Sequence, residues 1–219
     1  GSLIALLLCL NYNILFILKL IEKFDFTLLI NNHNTNVLDN VYKYYGLCSM
    51  NNLSIVIKHL IRYKTGKESM TFRELYKISN ITLNINTTCL DDITTYIFNH
   101  RTNPDMCVND IILNSMRIPF LYTSSKVNDK YHCDGFLINN CCINLVENLE
   151  ESIGIYCISN LVKKKITNIY DYISQLLLCI YIRHEYLLKE KYKKYLVCLK
   201  EESHHSIDFD ISIKRKRVL

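Results

Sequence analysis

Tryptophan is absent from this chain, and its 219 residues hold only two prolines and five glycines. So few chain breakers leave little room for linkers or low-complexity segments, and the length suits one domain, here 1–219. No Cys-x-x-Cys pair occurs among the ten cysteines, and Cys141-Cys142 are adjacent. With His132 and Cys133 they match no zinc spacing, so no metal and no cofactor is expected, and the thiols read as reduced and mostly buried. Excess charge is small as well. A net +5 is too weak for a nucleic-acid binder, which excludes that partner. No Gly-x-Ser-x-Gly occurs. The nearest approach is Gly46-Leu47-Cys48-Ser49, with nothing in the sequence to place a strand before it, and the seven histidines are scattered. No Ser-His-Asp triad can be assembled from these residues with the expected local context.

What is present is apolar: 49% hydrophobic residues against 21% charged, enough for a large core. The apolar run Leu3–Leu18 has no basic flank, is interrupted by Asn11 and Asn13, and falls short of the roughly 20 clean residues a membrane span needs. It reads as a buried helix, and no transmembrane segment is expected. Leu53, Val56, Ile57, Leu60 and Ile61 have helical spacing, closed by Gly66. Thr71 with Glu74 is a capping box opening a short helix. Residues 83–86, 95–98, 152–158 and 207–213 read as strands, 110–116 as a short helix and 166–199 as one or two amphipathic helices. Alternating strands and helices predict an α/β fold with a mostly parallel sheet covered on both faces. Lys163-Lys164-Lys165 and Lys214-Arg215-Lys216-Arg217 read as solvated segments able to attract anionic lipid surfaces, and the second also fits a nuclear signal.

The densest stretch runs from Arg101 to Leu145. It carries both prolines in Pro104-Asp105 and Ser115-Met116-Arg117-Ile118-Pro119-Phe120, then the turn Asp134-Gly135, then Asn139-Asn140. Upstream stand Gly66, Thr71, Phe72, Glu74, Leu75 and Tyr76. In this order these motifs resemble the patatin-like phospholipase family. The resemblance implies a three-layer α/β/α sandwich and hydrolysis of fatty-acyl esters by a serine–aspartate dyad without cofactor, with membrane phospholipid as substrate. Asp134 matches the family's catalytic aspartate; no substrate-binding residue is assigned. The opening Gly1-Ser2-Leu3-Ile4-Ala5-Leu6 resembles the segment that closes Gly-x-Ser-x-Gly and starts the next helix, although Gly1-Ser2 also fits a cloning remnant. On the family reading the nucleophile belongs two positions before Gly1 and the oxyanion loop further upstream. The expectation is therefore an N-terminally truncated domain, inactive as it stands, cytoplasmic or peripheral to a membrane. The alternative is a catalytically dead domain that binds lipid or protein. The chain departs from the family pattern at Phe136, where a glycine or alanine is usual, at Cys142, and at Ile111 and Asn114.

Overall fold

A computed structural model describes residues 1–29, 37–158 and 165–200. The predicted strand at 207–213, the basic run at 214–217 and Lys163-Lys164 lie outside these residues. Two compact units are present, one spanning Gly1–Asp134 and the second beginning at Gly135.

The first unit opens on helices α1 (Ser2–Cys9) and α2 (Ile14–Lys23). The run Leu3–Leu18 is thus not one buried helix. Asn11 adopts φ 53°, a left-handed turn that asparagine tolerates. Asn13 then caps α2, its side chain accepting from the Leu15 N–H at 2.8 Å. Leu6, Leu7 and Cys9 of α1 are buried, whereas Ile17 is the one buried residue of α2, with Ile14 and Leu15 63% and 66% exposed. Among the described residues no helix is long and apolar enough to cross a membrane.

A 3-10 turn (Phe26–Leu29) and α3 (Val37–Tyr44) lead to strand β1 (Gly46–Cys48), then α4 (Asn51–Thr65). As predicted, α4 ends on Gly66 at φ 74° and buries Leu53, Ile57, Leu60 and Ile61. Helix α5 (Phe72–Ser79) starts on the predicted capping box: Thr71 accepts from the Glu74 N–H, and Glu74 accepts from the Thr71 N–H. Strands β2 (Ile85–Cys89) and β3 (Thr94–Phe98) follow, then α6 (Val108–Ser115), β4 (Phe120–Tyr122), β5 (Ser125–Val127) and β6 (Lys130–Asp134).

The fold is of mixed α/β class. Strands β1 and β4 pair in parallel, while β3-β2-β6-β5 form a four-stranded antiparallel sheet. Chain connectivity explains the antiparallel part. β5 and β6 are joined by Asn128-Asp129, both at positive φ (50° and 63°), the signature of a two-residue turn whose twist matches the strands.

The two segments singled out in the sequence dock on each other. The Phe72 N–H donates to the Met106 carbonyl and the Arg73 N–H to the Pro104 carbonyl. The Arg73 guanidinium pairs with both Asp105 carboxylate oxygens at 3.0 and 3.2 Å, and the Val108 N–H donates to Met70. Phe72 and Leu75 are buried beneath this junction.

The second unit contains 3-10 turns at Gly135–Leu137, Cys142–Leu145 and Leu149–Glu151, strand β7 (Gly154–Ile158), helix α7 (Ile169–Tyr192) and strand β8 (Leu196–Lys200). β7 and β8 pair in parallel, and β8 replaces the end of the helix predicted to Leu199. Ile143, Tyr156 and Leu188 form its small core, edged by Tyr181, Tyr192 and Tyr195.

Gly46 is fixed by packing rather than by its φ. A Cβ there would meet the Tyr122 carbonyl oxygen at 2.2 Å and the Thr123 nitrogen at 2.4 Å, both backbone atoms of the neighbouring strand segment. Gly46→Ala is expected to destabilise the first unit by about 1–3 kcal/mol or more, read as a lower denaturant midpoint at unchanged slope. An unchanged midpoint would contradict the close β1–β4 approach.

Candidate active site around Asp134

Alternation in Tyr131-His132-Cys133 predicts a short strand running into Asp134, and β6 is that strand. It lies inside the antiparallel sheet with Thr87 opposite Asp134, Thr88 opposite Cys133 and Cys89 opposite His132. Asp134 is its last residue, half-buried, and the chain turns at once into the 3-10 segment from Gly135. The Asp134 N–H donates to the Arg117 carbonyl at 3.0 Å. This anchors the strand's end to the turn that follows α6.

The same turn reaches the start of α1. Ser115, at the end of α6, shares a 2.7 Å hydrogen bond with the hydroxyl of Ser2, and it also donates to Ile112. The first turn of α1 and the end of β6 are therefore tied to points two residues apart, Ser115 and Arg117. Ile111 and Asn114, which depart from the family pattern, are buried within α6. In the second unit the asparagines of the motif serve the loop itself. Asn139 donates to the Asn144 side chain at 3.0 Å and Asn140 to the Tyr156 hydroxyl at 3.2 Å.

Other residue types with catalytic potential have structural roles here. His132 is buried, its Nδ1 2.8 Å from the Thr87 hydroxyl and its ring edge-on to Tyr96 and Phe98. Burial holds its pKa below the usual histidine value, against the opposing pull of Asp91 and Asp92. Burial pushes the Cys133 thiol up to about 12 and raises that of Cys48, so neither supplies a thiolate at neutral pH. All ten cysteines are free thiols. Among the described residues no three His, Cys, Asp or Glu side chains group around a metal position.

Ser49 corrects the sequence reading in one respect. A strand does stand directly before it: β1 ends at Cys48 and α4 starts at Asn51, so Ser49 occupies a strand-to-helix turn. Leu47 and Asn51 fill the flanking positions where a nucleophile elbow has its glycines. The signal missed was β1 itself, three residues long and therefore without measurable periodicity.

The family model described as "Patatin-like phospholipase" matches residues 1–146. The chain belongs to the patatin-like phospholipase family. It is similar to the protein of Invertebrate iridescent virus 6 named "Probable lipid hydrolase 463L", with 31% identity over 154 residues, 66% of this chain and 50% of that protein. The chain thus matches about half the length of this curated relative.

The His132 environment sets a pH dependence. With the folded pKa depressed, the unfolded chain binds the proton first as pH falls below about 6.5. The contribution is present in full above that value and is lost as pH drops through the folded pKa. Stability of the wild type is expected to fall more steeply from pH 7 to 5 than that of His132→Asn, in paired denaturation curves. Parallel curves would mean that His132 does not titrate as a buried group.

Proposed function

We propose that this chain is the aspartate-bearing part of a lipid acyl hydrolase that cleaves fatty-acyl esters, with membrane phospholipid as the substrate class. Asp134 is the base that takes the proton from a serine nucleophile in a Gly-x-Ser-x-Gly segment ending at Gly1. The observation that carries this reading is the tie from Ser2 to Ser115 and from Arg117 to Asp134. It brings the start of α1 and the end of β6 onto one short turn. A nucleophile just before α1 then has a carboxylate at the end of β6, held by the same turn. The aspartate accepts the serine proton as the hydroxyl oxygen attacks the ester carbonyl, and returns it to the alcohol that leaves as the ester C–O bond breaks and the acyl-serine forms; water, giving its proton to the same aspartate, then cleaves the acyl-serine to the fatty acid and the serine is reprotonated. Backbone N–H groups of an oxyanion loop would hold the developing charge. By itself the 219-residue chain supplies neither that loop nor the nucleophile.

The second reading, a domain that binds lipid or protein without hydrolysis, is favoured by Phe136. A half-buried ring stands directly after Asp134-Gly135, where the family has a residue with little or no side chain.

The test is turnover of p-nitrophenyl butyrate and of phosphatidylcholine vesicles by two proteins: the 219-residue chain, and the same chain carrying ahead of Gly1 a patatin-like segment with both an oxyanion loop and a Gly-x-Ser-x-Gly nucleophile motif. The chain alone is expected to stay at background. The extended protein is expected to turn over, and Asp134→Asn to reduce its rate by about 10²–10⁴-fold, the usual contribution of a general base. Turnover by the chain alone, or an extended protein indifferent to Asp134→Asn, would refute the assignment. A folded extended protein without turnover, regained with Phe136→Gly, would identify the ring as the block.

A further inference from the structure

A cleft of about 350 Å³ opens on the first unit, walled by Tyr45, Phe120 and Tyr131 and floored by Arg117. Asp134 does not line it. Its size falls in the range of small-molecule sites, and its wall is largely apolar with a few convergent polar groups.

Arg117 is the unusual member. Its side chain is over nine-tenths buried, and its Nε has no hydrogen-bond partner. Nη1 donates to the Thr123 carbonyl, and among the described residues no carboxylate pairs with the guanidinium. Burial lowers its pKa to about 10, which still leaves it charged at neutral pH. A buried charge without a counter-ion is costly, and native proteins normally pair it. Asp91, also on the cleft, does not serve as the counter-ion. It is exposed to water and accepts from the Tyr131 N–H at 2.6 Å. His132 is already engaged with Thr87.

The apolar wall also shows strain. Phe120 has φ 65°, a conformation that bulky L-residues rarely adopt, and the residue is 55% exposed and lines the cleft rather than being buried. Tyr45 and Tyr131 meet edge to face at 5.9 Å, with the Lys126 ammonium 4.7 Å over the Tyr131 ring. The mouth of the cleft is therefore aromatic, with the Lys126 ammonium and the exposed Asp91 carboxylate at its edge, above a buried positive floor.

We propose that this cleft binds an amphiphile with an oxyanion head, a carboxylate or phosphate, which is held by Arg117 while its apolar part lies against Tyr45, Phe120 and Tyr131. The guanidinium suits charge-assisted recognition of such a head through the N–H donors that Thr123 does not use, and the anion supplies the charge partner the protein lacks. Ser124, also on the cleft, carries a hydroxyl able to donate. His132 and Cys133, the two residues before Asp134, line the cleft while Asp134 does not, and binding there does not depend on hydrolysis.

The test is calorimetric titration of the 219-residue chain with decanoate, decyl phosphate, decanol and inorganic phosphate. Decanoate and decyl phosphate are expected to bind at least about tenfold more tightly than decanol, the effect of one charge-assisted contact. Inorganic phosphate, the same oxyanion without an apolar body, is expected to bind at least tenfold more weakly than decyl phosphate. Arg117→Gln is expected to abolish the preference for the charged amphiphiles. Ser124→Trp, which fills the cleft and leaves Arg117 in place, is expected to remove binding of all of them and decides the matter should Arg117→Gln not fold. Equal binding of decanol and decanoate, equal binding of phosphate and decyl phosphate, or full binding by a folded variant would each overturn the proposal.

Discussion

The hydrogen bond from the Asp134 N–H to the Arg117 carbonyl is the contact on which the first unit turns. It joins the last residue of a sheet strand to the exit of α6. The residues around it connect everything else. Ser115 reaches α1, the Arg117 side chain reaches Thr123, and Phe120 and Tyr122 pair with Gly46 and Cys48. Helix, parallel pair and antiparallel sheet therefore meet within six residues. A shift of this turn would move the carboxylate, the start of α1 and the cleft floor together.

The turn is positioned from upstream by backbone pairing. Residues 70–73 and 104–108 exchange hydrogen bonds, and the exposed Arg73–Asp105 pair clips the junction from outside. An ion pair so exposed adds little to stability; the backbone bonds and the burial of Phe72 and Leu75 hold the junction. Most residues that carry the family resemblance are thus scaffold. Thr71 and Glu74 cap a helix, Gly66 ends one, and Phe72 and Leu75 fill the core. They fix the entry of α6, and through α6 the place of Asp134.

This division explains what the sequence made legible. Capping of α5, the αL end of α4 and the strand leading to Asp134 depend on neighbours within five residues, so local chemistry announces them. β1, β4 and β5 have three residues each, too few to show alternation, and their pairing partners are far away in sequence. β8 was hidden because Leu196–Lys200 continues an apolar spacing that suits a helix as well as a strand. The break in Leu3–Leu18 hinged on whether Asn11 takes a left-handed turn, which composition alone does not decide. The burial of Arg117 was not legible at all. It follows from the tertiary path of the chain through Ile118-Pro119, and an arginine between apolar residues ordinarily reads as exposed.

Arg117 and Asp134 share a backbone hydrogen bond, yet their side chains form no ion pair. That separation has a chemical consequence. A carboxylate paired with a guanidinium is held ionised by the neighbouring charge, its proton affinity falls, and it is a poorer base. The guanidinium would likewise be spent on its partner and closed to ligands. Fixing the two residues through main-chain atoms places the strand end as firmly as an ion pair would. It leaves the guanidinium, which lines the cleft, without a carboxylate partner among the described residues. In the proposed dyad the position of the base is then set by backbone geometry at the strand end.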